Sequence, residues 1–158
     1  MMELGGLFPA FSVRQWFSLA LWFAAAGHFC LLGASFQVPH RLGWKEDLAK
    51  LTVFNRKLMW TYGGFTVLTI IAFGALTYTL HEELLRGERA ALALAFFIGV
   101  YWTARVAVDF FYFGHAHWPQ GWLLRVGHVF LVLLFVCLAG TYLALVAWHL
   151  WPAAIVLL

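Results

Sequence analysis

The sequence predicts an all-α integral membrane protein: one antiparallel up-down bundle of four transmembrane helices, with a short interfacial amphipathic helix between the first two. Of its 158 residues, 64% are hydrophobic and only 11% are charged, whereas soluble domains average about 50% and about 25%. The mean hydropathy is +0.85. Four apolar stretches also reach the roughly 20 residues that a spanning helix needs. These observations exclude a soluble globular domain, a disordered chain and a nucleic-acid-binding protein.

Helix-breaking residues define the limits of the four predicted spans. Pro39 ends the first span, Gly87 lies in a charged turn before the third, Pro119 and Gly121 separate the third from the fourth, and Pro152 ends the last. Short connections of this kind favour antiparallel neighbours. Within a single domain, 1–158, the predicted spans are 11–38, 58–80, 90–113 and 123–151.

The segment between the first two spans has the pattern of an amphipathic helix. Its apolar residues recur at helical spacing, and the residues between them are charged. We therefore predict a short helix lying in the membrane interface; the alternative is a helical turn that continues into the second span. The apolar positions are Trp44, Leu48, Leu51 and Phe54, and the charged ones are Lys45, Glu46 and Lys50.

The distribution of basic residues predicts the orientation. One side of the predicted bundle carries Arg41, Lys45, Lys50, Arg56, Lys57 and Arg125, whereas the other carries Arg14, Arg86 and Arg89. Because basic loops remain on the cytoplasmic side, the first and third loops are predicted to be cytoplasmic. Both termini are then predicted to lie on the opposite side.

Two charged residues in the third span are the sharpest polar signal. Arg105 and Asp109 are four residues apart and thus lie on one helix face, which Tyr101 and Tyr112 extend. A charge inside a bilayer is costly, so we expect both side chains to point into the bundle. Three alternatives remain open: the two residues form a structural ion pair, Arg105 extends to the cytoplasmic surface, or both belong to a site in which Arg105 holds an anionic or carbonyl group.

Most other polar residues are predicted to lie in the cytoplasmic half of the bundle. The opposite half is nearly bare, apart from hydroxyl groups and interfacial residues such as His81 and His149. We therefore predict that a bound molecule lies in the cytoplasmic half. The candidate cofactor-binding residues are His28, Arg105, Asp109, Tyr112 and His128. The alternative is that each polar group is satisfied by a neighbouring helix.

Four kinds of bound group remain open from the sequence. A bis-histidyl haem would use His28 and His128, and a chlorophyll-type pigment would use His28. The H-x-H pair His115 and His117, with Asp109 and His128, could hold a metal ion. A quinone or a bound lipid needs only polar donors and aromatic walls, and the chain offers both.

The favoured function is a non-catalytic membrane subunit that binds such an apolar cofactor, quinone, pigment or lipid and docks on a larger membrane complex. The chain has none of the common hydrolase, metalloprotease, phosphate-loop or dinucleotide motifs. The alternatives are a small membrane enzyme acting on a quinone or lipid, and a channel or transporter subunit.

Predicted partners are the lipid bilayer and either other membrane subunits or further copies of the chain. Small residues suited to close helix contact recur on the third span at Ala91, Ala95, Gly99 and Thr103. Their partners could be Ala20 and Ala24 on the first span or Gly140 and Ala144 on the fourth.

Overall fold

The computed structural model describes residues 12–112 and 121–156. These residues form six α-helices and no β-strand. Four of the helices are long and apolar enough to cross a membrane. The predicted all-helical class with four candidate spans is confirmed. In chain order the helices are α1 Val13–Arg41, α2 Trp44–Ala49, α3 Val53–Thr79, α4 His81–Arg86, α5 Arg89–Phe111 and α6 Trp122–Val156.

Polar caps set the beginnings of α1 and α3. Ser12 and Gln15 form a capping box, in which each side chain bonds the backbone of the other. At α3 the Thr52 hydroxyl accepts the backbone N–H of Asn55 at 3.4 Å. Helix α3 therefore begins at Val53, whereas the predicted span begins at residue 58. The two starts differ because the first turn of α3 is helical but polar, and a span was predicted only from apolar residues.

The prediction that Pro39 and Pro152 end their helices is wrong. Pro39 lies inside α1, and α6 continues beyond Pro152. Proline removes one helical hydrogen bond, but near a terminus the next bond re-forms: the N–H of Leu42 still reaches the carbonyl of Val38 at 2.9 Å. The direction of the chain changes instead at Gly43, whose φ of +62° lies in the left-handed region that glycine tolerates.

Two short helices connect the long ones. The predicted helix between the first two spans is present as α2; it buries Leu48 and sets the Trp44 ring edge-on to Trp60, with centroids 5.7 Å apart. Helix α4 was not expected, because its charged sequence resembles a turn. It is held by the buried side chains of Leu84 and Leu85 and ends at Gly87, where φ is +73°.

The long helices pack in pairs, α5 along α6 and α1 along α3, and α1 also contacts α6. The predicted small-residue ridge of α5 forms one of these contacts, since Ala91, Ala95 and Gly99 are buried. A Cβ atom on Gly99 would lie 2.8 Å from the side chain of Leu143. Gly140, one of the four expected partners of the ridge, faces open space instead.

The buried residues of the four long helices are concentrated in one part of each helix. With the exception of Asp109, they lie within 21–31 of α1, 70–77 of α3, 91–102 of α5 and 135–146 of α6. The other parts of these helices, next to the α1–α3 and α5–α6 connections, have few buried residues, and we call them the open segments. They are 32–41, 53–69, 103–111 and 122–134. Among the described side chains of the open segments, only Asp109 is buried.

Candidate functional site

His28 lies at the centre of the core and is completely buried, with 0% exposure. Its Nδ1–H donates to the backbone carbonyl of Ala24 at 2.7 Å, which leaves Nε2 as an acceptor. The indole N–H of Trp102 donates to that Nε2 at 3.1 Å. Both ring nitrogens are therefore used within the protein, and an iron or magnesium ligand bond from His28 requires displacement of Trp102.

Aromatic rings from three other helices enclose His28. The ring centroids of Phe73, Trp102 and Tyr142 lie 5.9, 5.6 and 6.0 Å from that of the imidazole. Beside them the Thr77 hydroxyl donates to the Phe73 carbonyl at 2.7 Å and accepts the hydroxyl proton of Tyr142. This cluster joins α1, α3, α5 and α6 through satisfied hydrogen bonds, which is the arrangement of a structural core.

The second polar centre joins α5 to α6 between two open segments. Oδ2 of Asp109 lies 3.3 Å from Nε2 of His128, and the Asp109 residue is only 7% exposed. The distance is that of an ion-pair contact, but the alignment is not that of a hydrogen bond. Within the described part of the chain, no group donates a hydrogen bond to Oδ2 of Asp109. A buried carboxylate oxygen thus retains an unused acceptor position.

Arg105 does not share the burial of Asp109, although the two residues are one helical turn apart. Its side chain is exposed, and its guanidinium lies over the ring of Phe135 at 5.7 Å from the centroid. Phe135 also stacks on Trp102 at 4.9 Å. Among the described residues Arg105 forms no ion pair, so the expected inward orientation holds for Asp109 and not for Arg105. The long, flexible arginine side chain allows its charged end to leave the helix contact.

The remaining predicted site residues are Tyr112, His115 and His117. Tyr112 caps α5 and is exposed. His115 and His117 lie outside the described residues. No group of three potential metal ligands is found in 12–112 and 121–156, and the metal site therefore stays a prediction.

A groove lies at the end of α1. It has a volume of about 600 Å³ and is lined by Phe36, Gln37, His40 and Arg41. All four residues belong to the open segment of α1. The groove combines an aromatic wall with basic and amide groups, which are the features we expected of a site for the polar end of an amphipathic molecule.

A further polar cluster surrounds α4, where the sequence predicted little beyond interfacial groups. His81 lies 3.0 Å from the Ser18 hydroxyl through Nε2 and stacks on Trp22 at 4.5 Å. Burial lowers the pKa of His81 below its ordinary value of 6.5, although the negative charge of Glu82 acts to raise this pKa. Nearby, Arg14 pairs with Glu82 at 3.2 Å. The signal for this cluster was the run of charged residues after the second span, which we interpreted as a turn.

The structure thus separates the five predicted cofactor-binding residues into two places. Asp109 and His128 are brought together, Arg105 lies one turn away on α5, and Tyr112 follows at the helix end, whereas His28 belongs to the core cluster. Comparison with protein-family models, curated proteins and solved structures finds no match.

Proposed function

We propose that the chain is an integral membrane protein that binds an amphipathic, membrane-soluble molecule between its open segments. Insertion is supported by the four long apolar helices and by the many large apolar side chains on their outer surfaces. Such surfaces are stable in hydrocarbon and are avoided in water.

An antiparallel arrangement across the bilayer is supported by contacts between helix ends. Arg14, at the start of α1, pairs with Glu82, which follows α3. Trp44, after α1, contacts Trp60 near the start of α3. Gly87, before α5, lies against the ring of His149 near the end of α6. Each contact joins a residue at or beside the beginning of one long helix to a residue at or beside the end of another.

We propose the orientation with α2 and the α5–α6 connection in the cytoplasm and both termini opposite. The excess of basic residues on the α2 side supports it. Additional support comes from α4, on the other side, where Arg86 is paired with Glu83 and Glu88 at 3.6 and 3.2 Å.

The observation that carries the proposed binding function is the burial of Asp109 outside the core. A buried carboxylate is costly unless it has hydrogen-bond or charge partners, and His128 satisfies this one incompletely. A quinone or lipid with a polar head beside Asp109 and an apolar tail along the open segments fits this environment best. Haem and pigment binding through His28 is less well supported, because both nitrogens of that imidazole have partners.

The test is the identity of the molecules that co-purify with the protein. We expect mass spectrometry and absorption spectroscopy to detect a quinone or lipid with wild type and Asp47→Asn, but not with Asp109→Asn. Asp47 is the matched control, since it is an exposed Asp paired with Lys50. His28→Leu should lower folding yield and bound molecule together. Equal retention by wild type and Asp109→Asn would contradict the proposal.

A small membrane enzyme remains the second candidate function, and one specific observation favours it. Carboxylate and imidazole groups in contact, as Asp109 and His128 are, form a common general acid–base pair. Turnover of a bound quinone or lipid by wild type, abolished in His128→Asn with the bound molecule retained, would identify the enzyme. Bound molecule without turnover would favour the non-catalytic subunit, whose docking on other membrane subunits or on further copies is tested by cross-linking in the native membrane.

A further inference from the structure

We infer that the molecule held at Asp109 is a phospholipid whose headgroup carries a primary ammonium group, with the ammonium on Asp109 and the phosphate on Arg105. This inference rests on the proposed binding function and names its ligand class. It begins from two opposite charges on one helix that do not neutralise each other: Asp109 is buried against α6, and Arg105 is exposed over Phe135.

The hydrogen-bonding state of Asp109 defines the first half of the ligand. A carboxylate accepts hydrogen bonds and donates none when ionised. Oδ2 of Asp109 is buried, and no described residue donates to it. The complementary ligand group is therefore a donor, and a cationic donor forms the strongest hydrogen bond with a carboxylate. An ammonium group with N–H bonds meets both requirements, whereas a quaternary ammonium group has the charge and lacks the donor.

The position of Arg105 defines the second half. Its guanidinium forms no ion pair within the described part of the chain, and one side of it rests on the Phe135 ring. Arginine recognises phosphate through paired N–H donors. Asp109 and Arg105 are separated by one helical turn, roughly 6 Å along the axis at 1.5 Å per residue. A headgroup that carries phosphate and ammonium a few bonds apart can therefore contact both side chains.

The depth of the two residues agrees with a headgroup. Helix α5 has 23 residues and is roughly 34 Å long, slightly more than the hydrocarbon thickness of about 30 Å. Asp109 lies roughly 3 Å along the axis from Phe111, the last residue of α5, which places it at the boundary between hydrocarbon and headgroups when the helix is centred in the bilayer. Arg105 starts deeper, and its long side chain can extend towards the same level.

A neutral hydroquinone would fit the donor requirement at Asp109, but it would leave the positive charge of Arg105 without a negative partner.

The test uses lipid nanodiscs that contain equal amounts of phosphatidylethanolamine, phosphatidylcholine and phosphatidylglycerol with identical acyl chains. Lipids that remain bound after extraction into detergent are counted by native mass spectrometry. We expect wild type and Asp47→Asn to retain phosphatidylethanolamine about tenfold over phosphatidylcholine, and Asp109→Asn to lose this preference. Arg105→Gln should lower retention of phosphatidylethanolamine without unfolding the protein, since its side chain is exposed.

Two results would overturn the inference: equal retention of the ethanolamine and choline lipids by wild type, or a preference that survives in Asp109→Asn. Its failure is separable from failure of the proposed function. If Asp109→Asn loses a co-purified quinone while wild type shows no ethanolamine preference, the binding function stands and the lipid class is wrong. If no bound molecule depends on Asp109, both are wrong. Circular dichroism and gel filtration of each variant identify any loss that comes from misfolding.

Discussion

Trp102 on α5 donates its indole N–H to Nε2 of His28 on α1, at 3.1 Å in the fully buried core. The bond fixes the imidazole tautomer, because Nδ1 already donates to Ala24 at 2.7 Å. It satisfies two polar groups that would be costly to leave unpaired away from water. The most deeply buried of the described histidines is therefore part of the connection between helices.

Separate removal of the two partners should destabilise the fold. His28→Leu leaves the indole N–H without an acceptor, and Trp102→Phe leaves Nε2 without a donor. We expect each to lower the free energy of unfolding by about 1–3 kcal/mol, with additional loss from altered packing. The double variant should lose less than the sum of the two. Unfolding in mixed detergent and denaturant measures this cycle, with Trp60→Phe as the control at an exposed tryptophan; additive losses would contradict a direct bond.

The contact of α5 with α6 should depend on Gly99. A methyl group there would lie 2.8 Å from Leu143 atoms and 3.4 Å from its backbone nitrogen. We expect Gly99→Ala to destabilise the fold by about 1–3 kcal/mol through overpacking. Gly140→Ala places the same methyl group in open space and should be neutral or slightly stabilising. Equal thermal stability of the two variants would show that the close approach of the helices is absent.

Stability should depend on pH through His81. Burial lowers its pKa in the folded state from 6.5, so the unfolded chain binds a proton more tightly than the folded one. The contribution of His81 to stability is therefore complete above about pH 6.5 and is lost as the pH falls from there towards the lowered folded-state pKa. We expect His81→Gln to reduce the fall in melting temperature between pH 7.5 and pH 5.5, whereas His40→Gln, at an exposed histidine, should preserve it.

The proposed orientation can be measured with single cysteines. Cys30 and Cys137 are replaced by serine, and a cysteine is introduced at Lys45 in α2 or at Glu88 before α5. In intact cells a membrane-impermeant maleimide should label Glu88→Cys only, and Lys45→Cys should react after permeabilisation. The reverse pattern would contradict the orientation, and labelling of both in intact cells would contradict a bilayer between them.

Much of the fold follows from the sequence because hydrocarbon imposes simple rules on helix length and polarity. The four spans and α2 were predictable from apolar length and spacing. The pairing of His28 with Trp102 also had a signal: both lie about ten residues from the ends of the first and third predicted spans, hence at similar depth. A deep tryptophan N–H needs an acceptor, and His28 supplies it.

Other features depended on contacts that a single sequence does not specify. The spacing of Arg105 and Asp109 predicted one common environment, yet α6 supplies His128 to the carboxylate and Phe135 to the guanidinium. Helix α4 resembled a turn because its two buried leucines are stabilised only by neighbouring helices. Likewise, the sequence around Pro39 did not indicate that the backbone would remain helical as far as Arg41.

The central claim is that the open segments around Asp109 hold the headgroup of a phospholipid. Photo-cross-linking with a phospholipid that carries a diazirine beside its headgroup tests it most directly. The account predicts labels concentrated in 103–111 and 122–134, retained in Asp47→Asn and strongly reduced in Asp109→Asn. Labels spread evenly over all apolar faces, concentrated around α4, or unchanged in Asp109→Asn would contradict it.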